Sequence, residues 1–506
     1  AIAPHHRNLL IGGLRELDEP SAAILARHRG RLRLPALESL SDGAAAQLAG
    51  STSDLQLDRL AQLSPAAAES LAKHRGRLSL NGLRSLDNAS LAATLCQSPN
   101  ATEMPLLSSI SPSALRVLSE QATYLTLGLR ELSAEQLEIV GRFRGSLTLP
   151  VIHTVSDSTA SILAAREGSL KMYGLRELHH EALARKLAAS GGSMPPFLTL
   201  AALSPAAARG IVEASQRRHC RFPRLETLSE EVARELAKAK GPLSFPAVQS
   251  LTPATAAALA AHEGSLSLTK ITAVSPEVAE GLSQHAGPLE MVKLVQLDHP
   301  GLAGRLAGRS TSLRGVESVS DEVLVRLVAA KSLTLGIREI TERQAVLLAQ
   351  CTDSLSLPNV ERVSPAVITW LAKRSGSLSL PKLVELRDER LARALTQGAS
   401  DAIELGQVRS LSAAAAAELA KSKQELNLDG LTEVTEELAR ALALHTGHLS
   451  FRGATTFSGA AIIELSRHRA PVSCQDNPAL SMATRELLIA AGVLIRMRPE
   501  PIVPKP

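Results

Sequence analysis

A phrase of about 23 residues recurs along the chain and constrains its fold more than any other feature. It reads L-x-L-x-x-L-x-x-L-[S/D]-x-x-A-A-x-x-L-A-x-H-x-G, with variations. A fixed period of this length is typical of a solenoid, in which each coil packs on its two neighbours. The first residue of the L-x-L falls at Leu9, Leu32, Leu55, Leu78, Leu147, Leu170, Cys220, Leu243, Leu266, Leu289, Leu355, Leu378, Ile403, Leu426, Leu449 and Val472.

Each repeat supplies the parts of one coil. Within Leu78–Leu80, leucines alternate with serine, which is the pattern of a short strand with one buried face. A Ser-Pro pair such as Ser64–Pro65 then supplies a helix N-cap and a first helical residue. The alanine-rich helix ends at His-x-Gly, as at His74–Gly76. We expect that glycine in the left-handed conformation, and the histidine bonded to free carbonyls at the helix end.

These parts predict an α/β fold, a right-handed leucine-rich-repeat-like solenoid of about 21 strand-turn-helix coils. One long parallel sheet would form the inner wall, with short helices outside. The predicted solenoid spans residues 1–497 as a single domain with partial repeats at both ends, and the proline-rich residues 498–506 form a tail or linker stub. Because the chain begins with Ala inside a repeat and shows no capping domain, we expect it to be cropped from a longer protein.

Composition narrows the classes of function. The net charge is only +5 over 506 residues, and basic and acidic residues alternate, which does not favour nucleic-acid binding. No apolar run reaches 18 residues, so no membrane-spanning helix is predicted. The cysteines lie more than a hundred residues apart, which favours buried free thiols over disulfides or a metal site. They are Cys96, Cys220, Cys351 and Cys474.

The repeat resembles the leucine-rich repeats, in particular the bacterial 23-residue class of Treponema and BspA-type surface proteins. That class reads L-x-I-P-x-x-V-x-x-I-x-x-x-A-F, and Leu147–Val155 follows its rhythm. Pro35, Pro223, Pro246, Pro358 and Pro381 occupy the place of Pro150. The chain departs from the class in lacking its Ala-Phe pair, its recurrent cysteine and the asparagine ladder of classical leucine-rich repeats, and its helix-rich form is more similar to planctomycete-type repeats. The resemblance implies a binding scaffold and favours a bacterial envelope or extracellular location, with the cytoplasm left open.

Irregular repeats are candidate binding features, because insertions in a solenoid form loops at one edge. The step lengthens between Leu170 and Leu198, where Gly191–Pro196 is inserted. It shortens near Leu125 and Leu333, where one turn residue is missing. The alternative interpretation is tolerated drift in repeat length.

The candidate binding site lies on the strand face, where residues beside the leucines point away from the core. Most of these residues are Ser or Thr, but one stretch carries Tyr124, Lys171, Tyr173, His219 and Arg221. Tyrosine and arginine are enriched in binding hot spots, so this stretch predicts a site for an acidic protein or a glycan. A chance cluster of solvated charges is the alternative. The surrounding arginines are Arg166, Arg176, Arg185, Arg209, Arg217, Arg218 and Arg224.

No catalytic residue, metal site or cofactor is predicted. Seven histidines recur four residues before a strand, and a repeated capping role explains that spacing better than a metal site. No phosphate-binding loop, zinc-protease or nucleophile motif stands in a fitting context, and the acidic residues are scattered. The seven histidines are His5, His28, His74, His262, His285, His445 and His468.

The favoured function is a non-catalytic protein-protein interaction scaffold that binds its partner on the sheet face. The alternative is a cell-envelope adhesin or carbohydrate-binding surface protein, although aromatic residues, on which sugar rings usually stack, make up only 2% of the chain. An enzyme with an unrecognised site is the third alternative.

Overall fold

The computed structural model describes residues 8–98, 102–190, 197–215, 218–308, 310–397, 401–475 and 481–496. The chain divides into two compact units, residues 1–247 with 262–264 and residues 248–261 with 265–506. Each unit is built from strand-turn-helix coils whose strands pair in parallel, so the predicted α/β repeat solenoid is confirmed for each. A single domain over residues 1–497 stays a prediction, and the tail at residues 498–506 lies outside the described residues.

The helices are short, from seven to eleven residues. In the first unit they are α1 (Glu19–Leu25), α2 (Asp42–Ala49), α3 (Pro65–Leu71), α4 (Ala89–Cys96), α5 (Pro112–Gln121), α6 (Ala134–Arg142), α7 (Asp157–Ala165), α8 (Glu181–Ala189), α9 (Pro205–Ser215) and α10 (Glu230–Ala237). In the second unit they are α11 (Pro253–Ala260), α12 (Pro276–Ser283), α13 (Pro300–Leu306), α14 (Asp321–Leu327), α15 (Glu342–Leu348), α16 (Pro365–Leu371), α17 (Glu389–Thr396), α18 (Ala413–Leu419), α19 (Glu436–Leu442), α20 (Gly459–Leu465) and α21 (Met482–Ala490).

The strands are shorter still, from two to four residues. Those of the first unit are β1 (Leu9–Leu10), β2 (Glu16–Leu17), β3 (Leu32–Arg33), β4 (Ser39–Leu40), β5 (Leu55–Gln56), β6 (Leu78–Ser79), β7 (Ser85–Leu86), β8 (Glu103–Met104), β9 (Ser109–Ile110), β10 (Tyr124–Leu127), β11 (Ser146–Thr148), β12 (Leu170–Lys171), β13 (Glu177–Leu178), β14 (Ala202–Leu203), β15 (Cys220–Arg221) and β16 (Leu243–Ser244). Those of the second unit are β17 (Leu266–Ser267), β18 (Leu289–Glu290), β19 (Gln296–Leu297), β20 (Ser310–Leu313), β21 (Ser318–Val319), β22 (Ser332–Leu335), β23 (Ser354–Ser356), β24 (Leu378–Ser379), β25 (Glu385–Leu386), β26 (Ala402–Glu404), β27 (Ser410–Leu411), β28 (Glu425–Asn427), β29 (Glu433–Val434), β30 (Leu449–Phe451), β31 (Thr456–Phe457), β32 (Val472–Gln475) and β33 (Leu494–Arg496).

Within each ladder of the described residues, the first strand of one coil pairs with the first strand of the next coil, in the register of the repeat. Leu32 faces Leu9 on one side and Leu55 on the other, so equivalent leucines lie side by side. Ladders of four or five hydrogen-bonded strands consist of β1, β3, β5 and β6, of β8, β10, β11 and β12, of β20, β22, β23 and β24, and of β26, β28, β30, β32 and β33. Several ladders end next to residues outside the described ranges, so one long sheet stays a prediction.

A second series of short strands lies between the first strand and the helix, a region that we call the flank. These strands pair β2 with β4, β7 with β9, β13 with β14, β19 with β21, β25 with β27 and β29 with β31, all in parallel. The sequence predicted only a turn here. The second strands arise because the turn leads the chain back alongside the preceding coil, where its backbone groups find partners.

Leucine and alanine fill the core as the repeat predicts. Leu32, Leu34 and Leu37 of one coil are completely buried, and so are Ala67 and Leu71 of α3. The predicted Ser-Pro helix starts are also confirmed, as where the Ser64 hydroxyl accepts a hydrogen bond from the Ala67 amide at 3.0 Å. Small alanines let each short helix lie close to its strands, which a coil of this length requires.

The predicted register at Leu198 is wrong. The Phe197 ring, not the Leu198 side chain, lies in the core, and it stacks on Phe222 with the ring centroids 5.6 Å apart. Leu198 itself is half-buried. Because Phe222 lies two residues after Cys220, Phe197 rather than Leu200 occupies the third position of its coil. The Gly191–Pro196 insertion before it lies outside the described residues.

The glycines of the His-x-Gly phrase serve close approach rather than a left-handed turn, which corrects the prediction. Among the described glycines, only Gly168 and Gly492 have a positive φ, at 73° and 78°. At Gly76, a Cβ would lie 2.2 Å from the Ser53 carbonyl oxygen and 2.8 Å from His74 Nε2. Any side chain there would push the coil away from its neighbour.

We call the residue four positions before the first strand of a coil the return position. Polar side chains at this position bond backbone carbonyls in the segment between the helix and the next strand. The His74 ring contacts the Ser53 carbonyl of the preceding coil, 2.9 Å from Nε2. Arg374 donates through Nη1 to the Leu348 and Cys351 carbonyls at 2.8 and 2.6 Å. His74 and His262 therefore bond carbonyls of the preceding coil, where the sequence predicted a cap on their own helix, whereas His468 contacts the Ala470 carbonyl of its own coil.

We expect Gly76→Ala to lower the free energy of unfolding by about 1–3 kcal/mol, because its Cβ overlaps backbone that cannot move freely. The matched control is Gly304→Ala in α13, where a Cβ meets no atom within 4 Å and helix propensity favours alanine by about 1 kcal/mol. Thermal unfolding of both variants tests this, and equal midpoints would contradict it.

We also expect acid to destabilise the fold through buried histidines. Burial lowers the pKa of His74 and of His445 below the ordinary value of 6.5, so both are neutral when folded near neutral pH. The unfolded chain gains these protons first, so stability decreases as the pH falls through 6.5 toward the lowered values. Urea unfolding of the double variant His74→Gln, His445→Gln should show a smaller loss between about pH 7.5 and about pH 5.5 than the parent chain. His219→Gln, which removes an exposed histidine, is the control and should lose as much stability on acidification as the parent chain. An equal loss in the double variant would show that His74 and His445 do not cause the acid sensitivity.

Candidate functional site

Two of the five predicted site residues lie on one ladder of the first unit, and a third follows the ladder's last strand. Tyr124 faces Ser146 across the pairing of β10 with β11, and Thr148 faces Lys171 across the pairing of β11 with β12. Tyr124 and Lys171 thus lie two strands apart, about 10 Å across the sheet. Both side chains are half-buried on the strand face, as is Tyr173, two residues beyond Lys171.

The backbone at Tyr173 is held from the following coil. The Thr199 hydroxyl donates to the Tyr173 carbonyl at 2.5 Å and to the Leu175 carbonyl at 2.8 Å. This fixes the turn that carries the tyrosine ring at the edge of the strand face. A rigid aromatic side chain of this kind loses little entropy on binding a partner.

His219 and Arg221 lie further along the same unit, on and next to β15. Arg221 faces Ser244 of β16, and both His219 and Arg221 are exposed. No hydrogen bond or ion pair joins them to Lys171 or Tyr173 among the residues that the structure describes. Residues 191–196 and 216–217, between the two groups, lie outside those residues. The structure thus brings the predicted site together as two groups, one on each ladder.

Lys171, His219 and Arg221 are the basic side chains of this stretch. None of them has an acidic partner within 4 Å in the described residues. Two aspartates of the strand face, by contrast, are engaged by neighbouring serines. Asp58 accepts a hydrogen bond from the Ser79 hydroxyl at 2.6 Å, and Asp429 accepts one from Ser450 at the same distance. The positive charge near Lys171 and Arg221 is therefore available to a partner.

Of the arginines predicted to surround the site, one is a structural residue. Arg166 is only 3% exposed, and its guanidinium donates to the carbonyls of Phe143, Gly145 and Ser169 at 2.9, 2.7 and 2.7 Å. Burial lowers its pKa to about 10, so it remains charged at neutral pH. It occupies the same return position as Arg374 and cannot contact a partner.

The other predicted arginines differ in whether they form ion pairs. Arg185 pairs with Glu181 and Glu213, and Arg209 lies 3.5 Å from Glu181 and from Glu235, all on the helix side of the unit. Arg217 lies outside the described residues. The three that remain exposed without an ion pair in the described residues are Arg176, Arg218 and Arg224.

The second unit repeats the sequence of the site region but not its strand-face residues. Residues 124–188 align without a gap with residues 332–396, and L-T-L-G-[L/I]-R-E recurs at the start of both. Arg166 aligns with Arg374, which fills the equivalent buried position. Tyr124, Lys171 and Tyr173, however, align with Ser332, Ser379 and Pro381.

The comparison of the two segments distinguishes residues that the fold needs from residues that only the first segment carries. Shared residues such as Leu125, Gln136 and Arg166 pack the core or bond the backbone, whereas the tyrosines and the lysine are replaced by small residues in an equivalent coil. The fold therefore does not require Tyr124, Lys171 or Tyr173. The 23-residue period conceals this longer repeat, and the shared L-T-L-G phrase was the signal that could have revealed it.

The chemistry of the remaining groups is limited. The described residues contain no group of three or more His, Cys, Asp or Glu side chains that could hold a metal ion. All four cysteines are free. Burial raises the pKa of the Cys96 thiol to about 11 and raises that of Cys220, so both are protonated at neutral pH. Within the described ranges, no helix has the length and apolar character needed to cross a membrane.

No protein-family model matches the chain, and no curated protein matches it. Among solved structures, it is similar to an internalin from Listeria monocytogenes, with 15% identity over 73% of this chain and 84% of the other, and a TM-score of 0.25. It is also similar to a chain of the Toll–Spatzle complex of Drosophila, with 12% identity over 96% of this chain and 67% of the other, and a TM-score of 0.37. Likenesses this weak carry nothing about function, so the architecture of this chain rests on its own leucine-rich coils.

Proposed function

We propose that the chain is a non-catalytic scaffold that binds a protein partner on the strand face of its first unit. The contact residues are Tyr124, Lys171, Tyr173, His219 and Arg221. The observation that carries the proposal is the internal comparison, in which an equivalent coil keeps the framework and lacks the aromatic and basic side chains. Side chains that a fold does not need, on a surface that it leaves open, are candidates for recognition.

The partner is proposed to be acidic. Lys171 and Arg221 present positive charge without an intramolecular ion pair in the described residues, and the tyrosines between and beside them supply rigid contact area. A carboxylate-bearing surface complements this pattern, and such charges raise the rate of encounter as well as affinity. A glycan is the alternative ligand, and two tyrosines offer few rings on which sugars could stack.

The finer architecture is part of the same proposal. We infer right-handed coils, about 21 in number, of the bacterial 23-residue leucine-rich type. Parallel strands joined through a helix support the handedness, since such connections are right-handed almost without exception. One continuous stack over residues 1–497 would give the partner an uninterrupted strand face.

The double variant Lys171→Glu, Arg221→Glu should abolish capture of the partner. Reversing two charges at a hot spot costs at least about 2 kcal/mol, which corresponds to about 30-fold in affinity. The measurement is affinity capture by the parent and variant chains from cells or medium of the source organism, with each captured protein quantified. Capture by the parent chain should weaken as salt rises, because exposed charges are screened.

The matched control is Ser379→Glu, which places a negative charge at the position equivalent to Lys171 in the second unit. It should leave capture unchanged, and both variants should keep the thermal midpoint of the parent chain. If the double variant captures the partner as well as the parent does, the site is wrong. Binding to a glycan array that is lost in the double variant would favour the carbohydrate alternative.

A further inference from the structure

The second unit carries an acidic stretch on its strand face that the proposed function leaves unused. Glu404 ends β26, Glu425 begins β28, and Asp429 lies two residues after β28. Residues 402–406 and 424–429 contain these three carboxylates and no Lys, Arg or His. We call Glu404, Glu425 and Asp429 the acidic face.

The alternation of side chains along both strands places the two glutamates on the outward side. Ile403 and Leu405 are buried on either side of Glu404, whereas Glu404 and Glu425 are exposed. Glu404 faces Asn427 across the pairing of β26 with β28. Because Glu425 lies two residues before Asn427, the Cα atoms of the two glutamates are about 8 Å apart. Like charges at this distance produce a negative potential that attracts cationic side chains.

Neutral groups hold two of the carboxylates in place. Glu404 accepts a hydrogen bond from Asn427 Nδ2 at 2.7 Å, and Asp429 accepts one from the Ser450 hydroxyl at 2.6 Å. These bonds fix the orientation of the carboxylates and leave their charge in place, so the acidic face is preorganised for a cation.

Two basic side chains of the next coil, on either side of β30, reach the acidic face. His448 Nδ1 lies 2.8 Å from Glu425, and Arg452 Nε lies 4.0 Å from Asp429. Glu404 has no ion pair within 4 Å in the described residues. Three carboxylates beside one arginine leave the acidic face with a net negative charge at neutral pH.

The strand-face site of the first unit has the opposite sign. Residues 169–174 and 219–224 contain Lys171, His219, Arg221 and Arg224 and no Asp or Glu. We call Lys171 and Arg221, the two contact residues with a full positive charge, the basic face. The chain thus carries two complementary faces on surfaces of the same kind, one on each unit.

Small side chains beside both faces allow close approach. Thr126 and Thr148 lie between Tyr124 and Lys171 on the ladder of the basic face, and Ala402 and Gly406 flank Glu404. A partner surface can therefore reach the charged groups without meeting a bulky neighbour there.

We propose that the acidic partner of the strand-face site is a second copy of this chain. The basic face of one copy binds the acidic face of the other, and the Tyr173 hydroxyl can donate to a carboxylate beside it. This inference rests on the proposed function, because it uses the same contact residues. The contact joins unlike surfaces, so it closes a dimer where two-fold symmetry uses it twice and otherwise builds longer assemblies.

The strength of such a contact depends on salt. Exposed ion pairs contribute little individually and are screened at physiological ionic strength. Sedimentation velocity of the parent chain should therefore show self-association in about 20 mM salt and its loss in about 300 mM salt, at protein concentrations up to about 100 µM.

Charge reversal and exchange test which residues make the contact. The acidic-face variant Glu404→Lys, Glu425→Lys and the basic-face variant Lys171→Glu, Arg221→Glu should each self-associate at least about 10-fold more weakly than the parent. An equimolar mixture of the two variants should associate again, because each then meets a face of opposite sign on the other. Both variants should keep the thermal midpoint of the parent.

The matched control is Glu263→Lys, Glu290→Lys, which makes the same change in charge at exposed residues of the second unit away from the acidic face. It should associate as the parent does. A parent chain that stays monomeric in low salt, an equal loss in the control, or a mixture that fails to associate would each overturn the inference. The strand-face site would still stand in those cases if capture of another protein depends on Lys171 and Arg221, so the two proposals can fail separately.

Discussion

Hydrogen bonding from coil to coil is the constraint on which the rest of this structure depends. A coil of about 23 residues is too thin to satisfy its own backbone, so its amides and carbonyls must find partners in the coils on either side. Equal repeat length keeps those partners opposite each other, as the alignment of Leu9, Leu32 and Leu55 shows. Where the length changes by one residue, at Leu125, the Gln136 side chain bonds the Ile110 carbonyl of the preceding coil.

At the return position, side chains supply the hydrogen bonds that backbone carbonyls of neighbouring coils need. Histidine, arginine and cysteine all occur there, and each places a donor near carbonyls of the neighbouring turns. Arg166 and Arg374 do so with charged groups that are almost fully buried, which is tolerated because several carbonyls surround each guanidinium. Burial lowers the pKa of both, without a carboxylate bound to either guanidinium in the described residues.

The internal comparison of the two units connects this framework to function. Residues 124–188 and 332–396 keep the leucines, the capping glutamine and the buried arginine, since each is needed to join one coil to the next. They differ at the strand face. The proposed strand-face site lies where the first unit departs from the second, and that contrast supplies its matched control.

The sequence by itself determined the coil, its Leu/Ala core, the Ser-Pro helix starts and the residues on the strand face, because these depend on spacing within one repeat. The tertiary structure alone decided the register at Phe197, the second strands on the flank, the reason for glycine at Gly76 and the burial of Arg166. These features depend on contacts between residues about one repeat apart, which a local pattern does not encode.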